Sequence, residues 1–158
     1  MIIVKNLTKI YNHQGKKKIV FNNLNFKIND QESVAILGRN GSGKSTLIRI
    51  LAGCESYNNG SVRSNCTISW PIALKGGFQG SLTGRENVIF ICKLYLGNKF
   101  DLIMSKIKFV KKFADIGSYF DLPLNLYSSG MRSRLAFGLS MAFKFNTYLL
   151  DEITAVGD

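Results

Sequence analysis

Residues 38–46 read Gly38, Arg39, Asn40, Gly41, Ser42, Gly43, Lys44, Ser45, Thr46 and satisfy every constrained position of G-x-x-x-x-G-K-[ST]. Gly38, Gly41 and Gly43 can take backbone angles closed to other residues, so successive N–H groups can turn inward around a phosphate. Lys44 can then reach the β- and γ-phosphates of a nucleoside triphosphate. The Ser45 hydroxyl suits Mg²⁺, a hard cation that prefers oxygen. At about 4 Å and an effective dielectric near 20, one Lys–phosphate pair is worth roughly 4 kcal/mol. Far along the chain, Tyr148–Glu152 (YLLDE) is an apolar run that ends in two adjacent carboxylates. One carboxylate there can hold Mg²⁺ through water, and its neighbour can orient or deprotonate an attacking water. Alone, such a pair caps a strand; placed well after a phosphate loop, it reads as the second half of a hydrolytic site.

Two weaker signals accompany these motifs. Gln79 sits in the glycine-rich run Gly76–Val88, where an uncharged amide can reach a metal ion or water when the loop moves, or can simply face solvent. Tyr11 offers a ring on which a base can stack, or an ordinary half-buried tyrosine. His13 is the only histidine and makes no metal site.

The elements that must position these residues follow from pattern. The run Ser33–Leu37 leads into the loop as a strand. Leu47, Ile48, Ile50 and Leu51 mark one face of a helix ending near Gly53, whose positive N-terminal end adds to the phosphate site. Upstream, Met1–Leu7, Ile19–Phe21 and Leu24–Ile28 read as strands, with Asn12–Lys18 a polar loop and Asn22–Asn23 a turn, so a β-rich opening sheet is predicted. Asn29–Glu32 makes the turn toward the phosphate loop. Downstream, Gly60–Arg63 and Thr67–Trp70 read as short strands. Two helices are expected between Glu86 and Phe113, divided near Gly97–Lys99, with Asp101 as the N-cap of the second. Leu102, Ile103, Ile107, Val110 and Phe113 give that second helix an apolar stripe broken by Lys106. A further helix is expected over about 130–143, so a helical subdomain over about 85–143 lies between the two motifs.

Composition sets the bounds. At 158 residues with 46% apolar residues, the chain is one domain by length, able to bury roughly 70% of its unfolded surface. Lys+Arg 21 against Asp+Glu 10, a net charge of +11, favours anionic partners without choosing among them. Only Lys16–Lys18 forms a tight basic run, so no nucleic-acid arm is indicated. Cys54, Cys66 and Cys92 are odd in number and widely spaced, which suggests neither a disulfide framework nor a zinc site and fits a reducing compartment. No run approaches the roughly 18 apolar residues of a membrane span.

Taken together, these residues resemble the ATPase subunit of ABC transporters over the whole chain. GRNGSGKST is similar to its Walker A loop, YLLDE to its Walker B strand and FQG to its glutamine loop. Tyr11 falls where the family places an adenine-stacking aromatic. YSSGM, Tyr127–Met131, stands where the family has LSGGQ: Ser128 and Gly130 agree, whereas Tyr127, Ser129 and Met131 depart. The resemblance implies an α/β fold of the P-loop NTPase, ABC ATPase type, with an N-terminal antiparallel β subdomain and an inserted helical subdomain. It implies ATP and Mg²⁺ as cofactors, with Ser45 and Gln79 on the metal and Asp151 behind a water, and Glu152, Gln79 and Lys44 as catalytic groups. It further implies a homodimer in which Ser128, Ser129 and Gly130 of one subunit meet the γ-phosphate held by the other. WPIALKGGFQGSLTGRENV, YSSGMRSRLAFGLSMAF and DEITAVGD resemble the branch that exports capsular and other cell-surface polysaccharides. That branch works beneath an integral membrane permease, as a peripheral protein on the cytoplasmic face of the inner (plasma) membrane, with no nucleic-acid partner. The chain stops in the segment similar to the family's D-loop, before its switch histidine, so an incomplete subunit lacking the last strands is expected. A nucleotide-binding module without turnover is the leading rival; a DNA-associated ATPase and a P-loop kinase are others.

Overall fold

The computed structural model describes residues 1–71 and 77–151. They form two compact units, one of Met1–Pro71 with Phe145–Asp151 and the other within residues 77–144.

The first unit is built on a three-stranded antiparallel sheet in the order β2-β1-β3, with β1 at Ile2–His13, β2 at Lys16–Ile28 and β3 at Asn59–Ser64. The predicted polar loop at 12–18 is instead ladder: Tyr11 pairs with Lys18, Asn12 with Lys17 and His13 with Lys16. The turn is only Gln14–Gly15, both with positive φ (48° and 76°), as a two-residue hairpin requires. Nor does β2 turn at Asn22–Asn23. Asn23 has a φ of 53° but belongs to a bulge in β2, which advances three residues from Phe21 to Leu24 where β1 advances two between Leu7 and Lys9. Its N–H donates to Thr8 Oγ1, and at a second bulge, in β1, the Asn25 side chain accepts from the Asn6 N–H. The bulge has a purpose. Ile2 and Val4 face the core from even positions, and the extra residue at Asn6 (φ 50°) shifts the parity so that Leu7 and Lys9 do so from odd ones.

Helix α1, Lys44–Leu51, lays Leu47, Ile48, Ile50 and Leu51 against Ile2, Val4, Leu7 and Leu149. The predicted strand Ser33–Leu37 has no ladder partner among the described residues, and Leu37 is 90% exposed. An apolar run of that length becomes a strand only where neighbours take up its N–H and C=O groups. Likewise Thr67–Trp70 and Tyr148–Asp151 form no regular strands. They meet at a parallel bridge, Ile68 to Thr147, supported by Ser69 N–H to Thr147 O (2.9 Å) and Leu149 N–H to Ser69 Oγ (2.9 Å).

The second unit is helical. Helix α2, Gly84–Leu96, begins with a capping box: Thr83 Oγ1 accepts from the Glu86 N–H, and Glu86 accepts from the Thr83 N–H. Helix α3 is Phe100–Ala114 with Lys99, not Asp101, at its N-cap. Asp101 sits inside the first turn, where its carboxylate meets the positive helix end. Ile103, Ile107, Val110 and Ala114 are the buried stripe of α3; Leu102 and Phe113 are largely exposed. Lys106 rests 5.7 Å from the Phe143 ring centroid, which explains the interruption of the stripe. Helix α4, Ser129–Ala142, packs on α3 where Gly138 lies under Phe113; a Cβ there would meet the ring at 3.2 Å.

Candidate nucleotide site

The phosphate loop is shaped by its glycines. Gly43 precedes α1 with φ 101° and no side chain capping the helix, so the first-turn N–H groups stay available to an anion. A Cβ at Gly43 would also lie 2.3 Å from Val20 Cγ1, because β2 packs against the loop from below. The Ser42 N–H donates to Arg39 O at 3.1 Å, closing an exposed turn that carries Asn40 and Gly41. Lys44 Nζ donates to the carbonyls of Gly38 (2.8 Å) and Arg39 (3.1 Å), which curls its stem over the loop. Thr46 is buried and Ser45 is half-buried.

Ser45 Oγ donates to Asp151 Oδ1 at 3.0 Å, joining positions 106 residues apart. Buried Leu149 anchors the arriving segment two residues earlier. A hydroxyl and a carboxylate at hydrogen-bond distance are an all-oxygen donor pair. They fit Mg²⁺, which takes one or two protein oxygens and completes its octahedron with phosphates and water. No three His, Cys, Asp or Glu side chains gather as a metal cluster among the described residues. Glu152, the predicted base, lies outside the described residues.

Tyr11 stands beside this loop at the edge of β1. Its hydroxyl donates to Glu55 Oε1 and lies 3.4 Å from Thr46 Oγ1, and Lys9 Nζ sits 4.6 Å from the ring centroid. Glu55 in turn accepts from Arg49 Nε (2.9 Å) and pairs with Lys9 Nζ (3.0 Å). Burial pushes the Glu55 carboxyl up, but hydrogen bonds from Tyr11, Arg49 and Lys9 outweigh it and hold the group at about 2. Sequence reasoning missed Glu55. The available signal was Lys9, a lysine at an inward position between Leu7 and Tyr11, where a buried ammonium needs a carboxylate.

In the helical unit, Gln79 is held by Asn87, a second residue the sequence reading passed over. The buried Asn87 side chain accepts from the Gln79 N–H (2.8 Å), while its amide faces the carbonyls of Gln79 (3.1 Å), Leu82 (3.3 Å) and Thr83 (2.9 Å). Ser128 is the N-cap of α4, its Oγ accepting from the Met131 N–H at 3.2 Å; Ser129 and Gly130 open the first turn and are exposed. Tyr127 has a physical place of its own: it is buried, and its hydroxyl donates to Tyr119 O at 2.6 Å. Burial pushes its phenol up.

The sequence profile described as ABC transporter matches residues 21–155, which span the phosphate loop, the glutamine loop, YSSGM and YLLDE. The chain belongs to the ABC transporter family. Among curated ABC relatives, the polysialic acid transport ATP-binding protein KpsT of Escherichia coli is 56% identical over the whole of this chain and 70% of its own length. The ATP-binding protein BexA of Haemophilus influenzae is 46% identical, again over the whole chain and 71% of its length. The capsule polysaccharide export ATP-binding protein CtrD of Neisseria meningitidis is 45% identical, with the same 71%. The ATP-binding cassette MJ0796, solved as a dimer in a post-hydrolysis state with ADP and Pi, superposes with a TM-score of 0.83 at 23% identity, over 100% of this chain and 76% of that one. The expected ABC ATPase fold is therefore the fold of this chain.

Proposed function

We propose that this ABC-family chain is the ATP-hydrolysing subunit of an exporter of capsule-like polysaccharide. The observation that carries the site is the Ser45–Asp151 contact at 3.0 Å, which joins the phosphate loop to the acidic end of YLLDE. The names of the relatives at 45–56% identity support the substrate class. Adenine stacks on Tyr11, and the loop from Gly38 to Thr46 wraps the phosphates with Lys44 at the β- and γ-positions. Ser45 and Gln79, with Asp151 through a water, would hold Mg²⁺, which would supply neutralisation of phosphate charge. Glu152 takes a proton from water as its oxygen bonds to the γ-phosphorus and the bond to the β–γ bridging oxygen breaks, releasing ADP and phosphate. Two copies meet head to tail, each offering Ser128, Ser129 and Gly130 at the start of α4 to the other's γ-phosphate. Met131 cannot make the hydrogen bonds of the glutamine it replaces. The helical subdomain, about 85–143, passes its motion to a membrane permease, with the dimer peripheral on the cytoplasmic face.

The test has three arms. Lys44→Ala should abolish tight ATP binding; wild-type affinity in that variant would remove the loop assignment. Glu152→Gln should accumulate an ATP-bound dimer on size-exclusion chromatography, and turnover at the wild-type rate would remove Glu152 as the base. Restoration of capsule in a strain deleted for its own export ATPase reads out the substrate class.

A further inference from the structure

A half-buried ion cluster lies behind Tyr11, and nothing in the hydrolytic chemistry uses it. Glu55 follows α1 and turns its carboxylate toward β1, where it meets three donors: the Tyr11 hydroxyl, Arg49 Nε at 2.9 Å and Lys9 Nζ at 3.0 Å. Lys9 is itself tied down by donation to Ser56 O at 2.7 Å. Its ammonium therefore stays fixed 4.6 Å from the Tyr11 ring centroid. Arg49 also reaches within 3.5 Å of Thr46 Oγ1, which lies 3.4 Å from the Tyr11 hydroxyl. Each charge has a partner, which is the condition for drawing such a cluster partly out of water.

The geometry points to Glu55 as a positioning residue for recognition of the nucleotide base. It fixes the Tyr11 ring by its hydroxyl while Lys9 holds one face, leaving the opposite face for a purine. This rests on the reading of Tyr11 as the adenine platform. A tyrosine at a strand edge is otherwise free to swing about its first side-chain torsion, and a base stacks well only on a ring already in place. The hydroxyl–carboxylate bond removes that freedom before the nucleotide arrives. The lysine on one side makes the platform single-faced, so one stacked base saturates it. The phosphate loop itself needs none of this, since its contacts are backbone N–H groups and Lys44.

The consequence is a split between base-dependent and phosphate-dependent affinity. Using the full chain, titration calorimetry with ATP and with inorganic tripolyphosphate on wild type, Glu55→Gln, Tyr11→Phe and Tyr11→Ala separates them. Stacking on an aromatic ring is worth enough that Tyr11→Ala should weaken ATP by about tenfold or more. Glu55→Gln and Tyr11→Phe should each weaken ATP by about three- to tenfold and leave tripolyphosphate within about twofold. Tyr11→Phe keeps the ring and the packing, so it carries the test even if Glu55→Gln disturbs the fold. Equal losses for both ligands in Tyr11→Phe would make the cluster merely structural and overturn the inference. Unchanged ATP affinity in both Glu55→Gln and Tyr11→Phe, beside a clear loss in Tyr11→Ala, would overturn it while sparing the platform. Unchanged affinity in Tyr11→Ala would overturn the platform and the inference together.

Discussion

Replacing Asn87 with alanine should loosen the segment that carries Gln79, and its cost follows from the hydrogen bonds. The buried side chain accepts from the Gln79 N–H at 2.8 Å and faces the carbonyls of Gln79, Leu82 and Thr83 within 3.3 Å. A carboxamide has only two N–H groups, so it serves two of those carbonyls at once and makes three bonds in all. At about 1 kcal/mol for each bond lost, with the backbone partners left under-satisfied, the variant should lose about 3 kcal/mol. For a chain of this length that is a fall in Tm of about 6–12 °C. Asn87→Asp sharpens the test. It keeps the acceptor but sets a carboxylate against carbonyl oxygens in a buried site, and both effects favour the neutral acid. Its folded pKa is thus raised above the unfolded value of about 3.9. The protonated acid can still donate, so its deficit against wild type should be small below about pH 4 and grow as pH rises through the folded pKa. Thermal melts of wild type and both variants at low and neutral pH supply the measurement. A Tm change under about 1 °C for the alanine variant, or a pH-independent deficit for the aspartate variant, would refute the reasoning.

Gly43→Ala places a side chain at φ 101° and 2.3 Å from Val20 Cγ1; it should cost about 1–3 kcal/mol in urea unfolding and lose ATP binding with it. Glu55 is depressed from its ordinary 4.5 to about 2, so its stabilisation is complete above about pH 4.5 and disappears as pH falls through about 2. Glu55→Gln should therefore lower stability at neutral pH by on the order of 2 kcal/mol and flatten the acid limb of the stability curve. By contrast, Asp121 joins Arg85 at 2.6 Å and Lys111 at 3.3 Å on half-exposed surface. Asp121→Asn should change unfolding free energy by less than about 1 kcal/mol, with the difference shrinking at high salt.

What the sequence made legible was chemistry that demands particular residue types. A phosphate loop needs glycines at fixed places, and Gly41 and Gly43 have the positive φ values that the motif implies. Helix α1 was legible for a similar reason, since four apolar residues at helical spacing have one face to bury. The features that were missed depend on partners remote in sequence. An asparagine supplies positive φ to a turn and to a bulge alike; only the facing strand, where Thr8 Oγ1 accepts the Asn23 N–H, makes Asn23 a bulge. Ser33–Leu37 has strand composition, yet composition does not supply the neighbouring strands. Tyr127 departs from a familiar pattern because a carbonyl outside the motif, Tyr119 O, receives its hydroxyl and Gly84 leaves it room: a Cβ at Gly84 would lie 2.3 Å from the Tyr127 hydroxyl. Glu55 carries no motif at all, and its role is visible only once Lys9, Tyr11 and Arg49 converge on it.

The unit that carries the phosphate loop is discontinuous: Phe145–Asp151 returns to Met1–Pro71 only after the helical unit has been spelled out. During synthesis at roughly 5–20 residues per second, the loop and its sheet emerge several seconds before Asp151 does. Closing so long a span costs on the order of 4 kcal/mol in chain entropy, a cost that prior folding of the intervening helices reduces by shortening the free chain. The serine hydroxyl thus waits for its carboxylate until the residues of the helical unit have been synthesised. Ribosome-stalled chains ending at residue 144 should therefore leave the phosphate loop open to protease, and chains extended well past residue 151 should protect it.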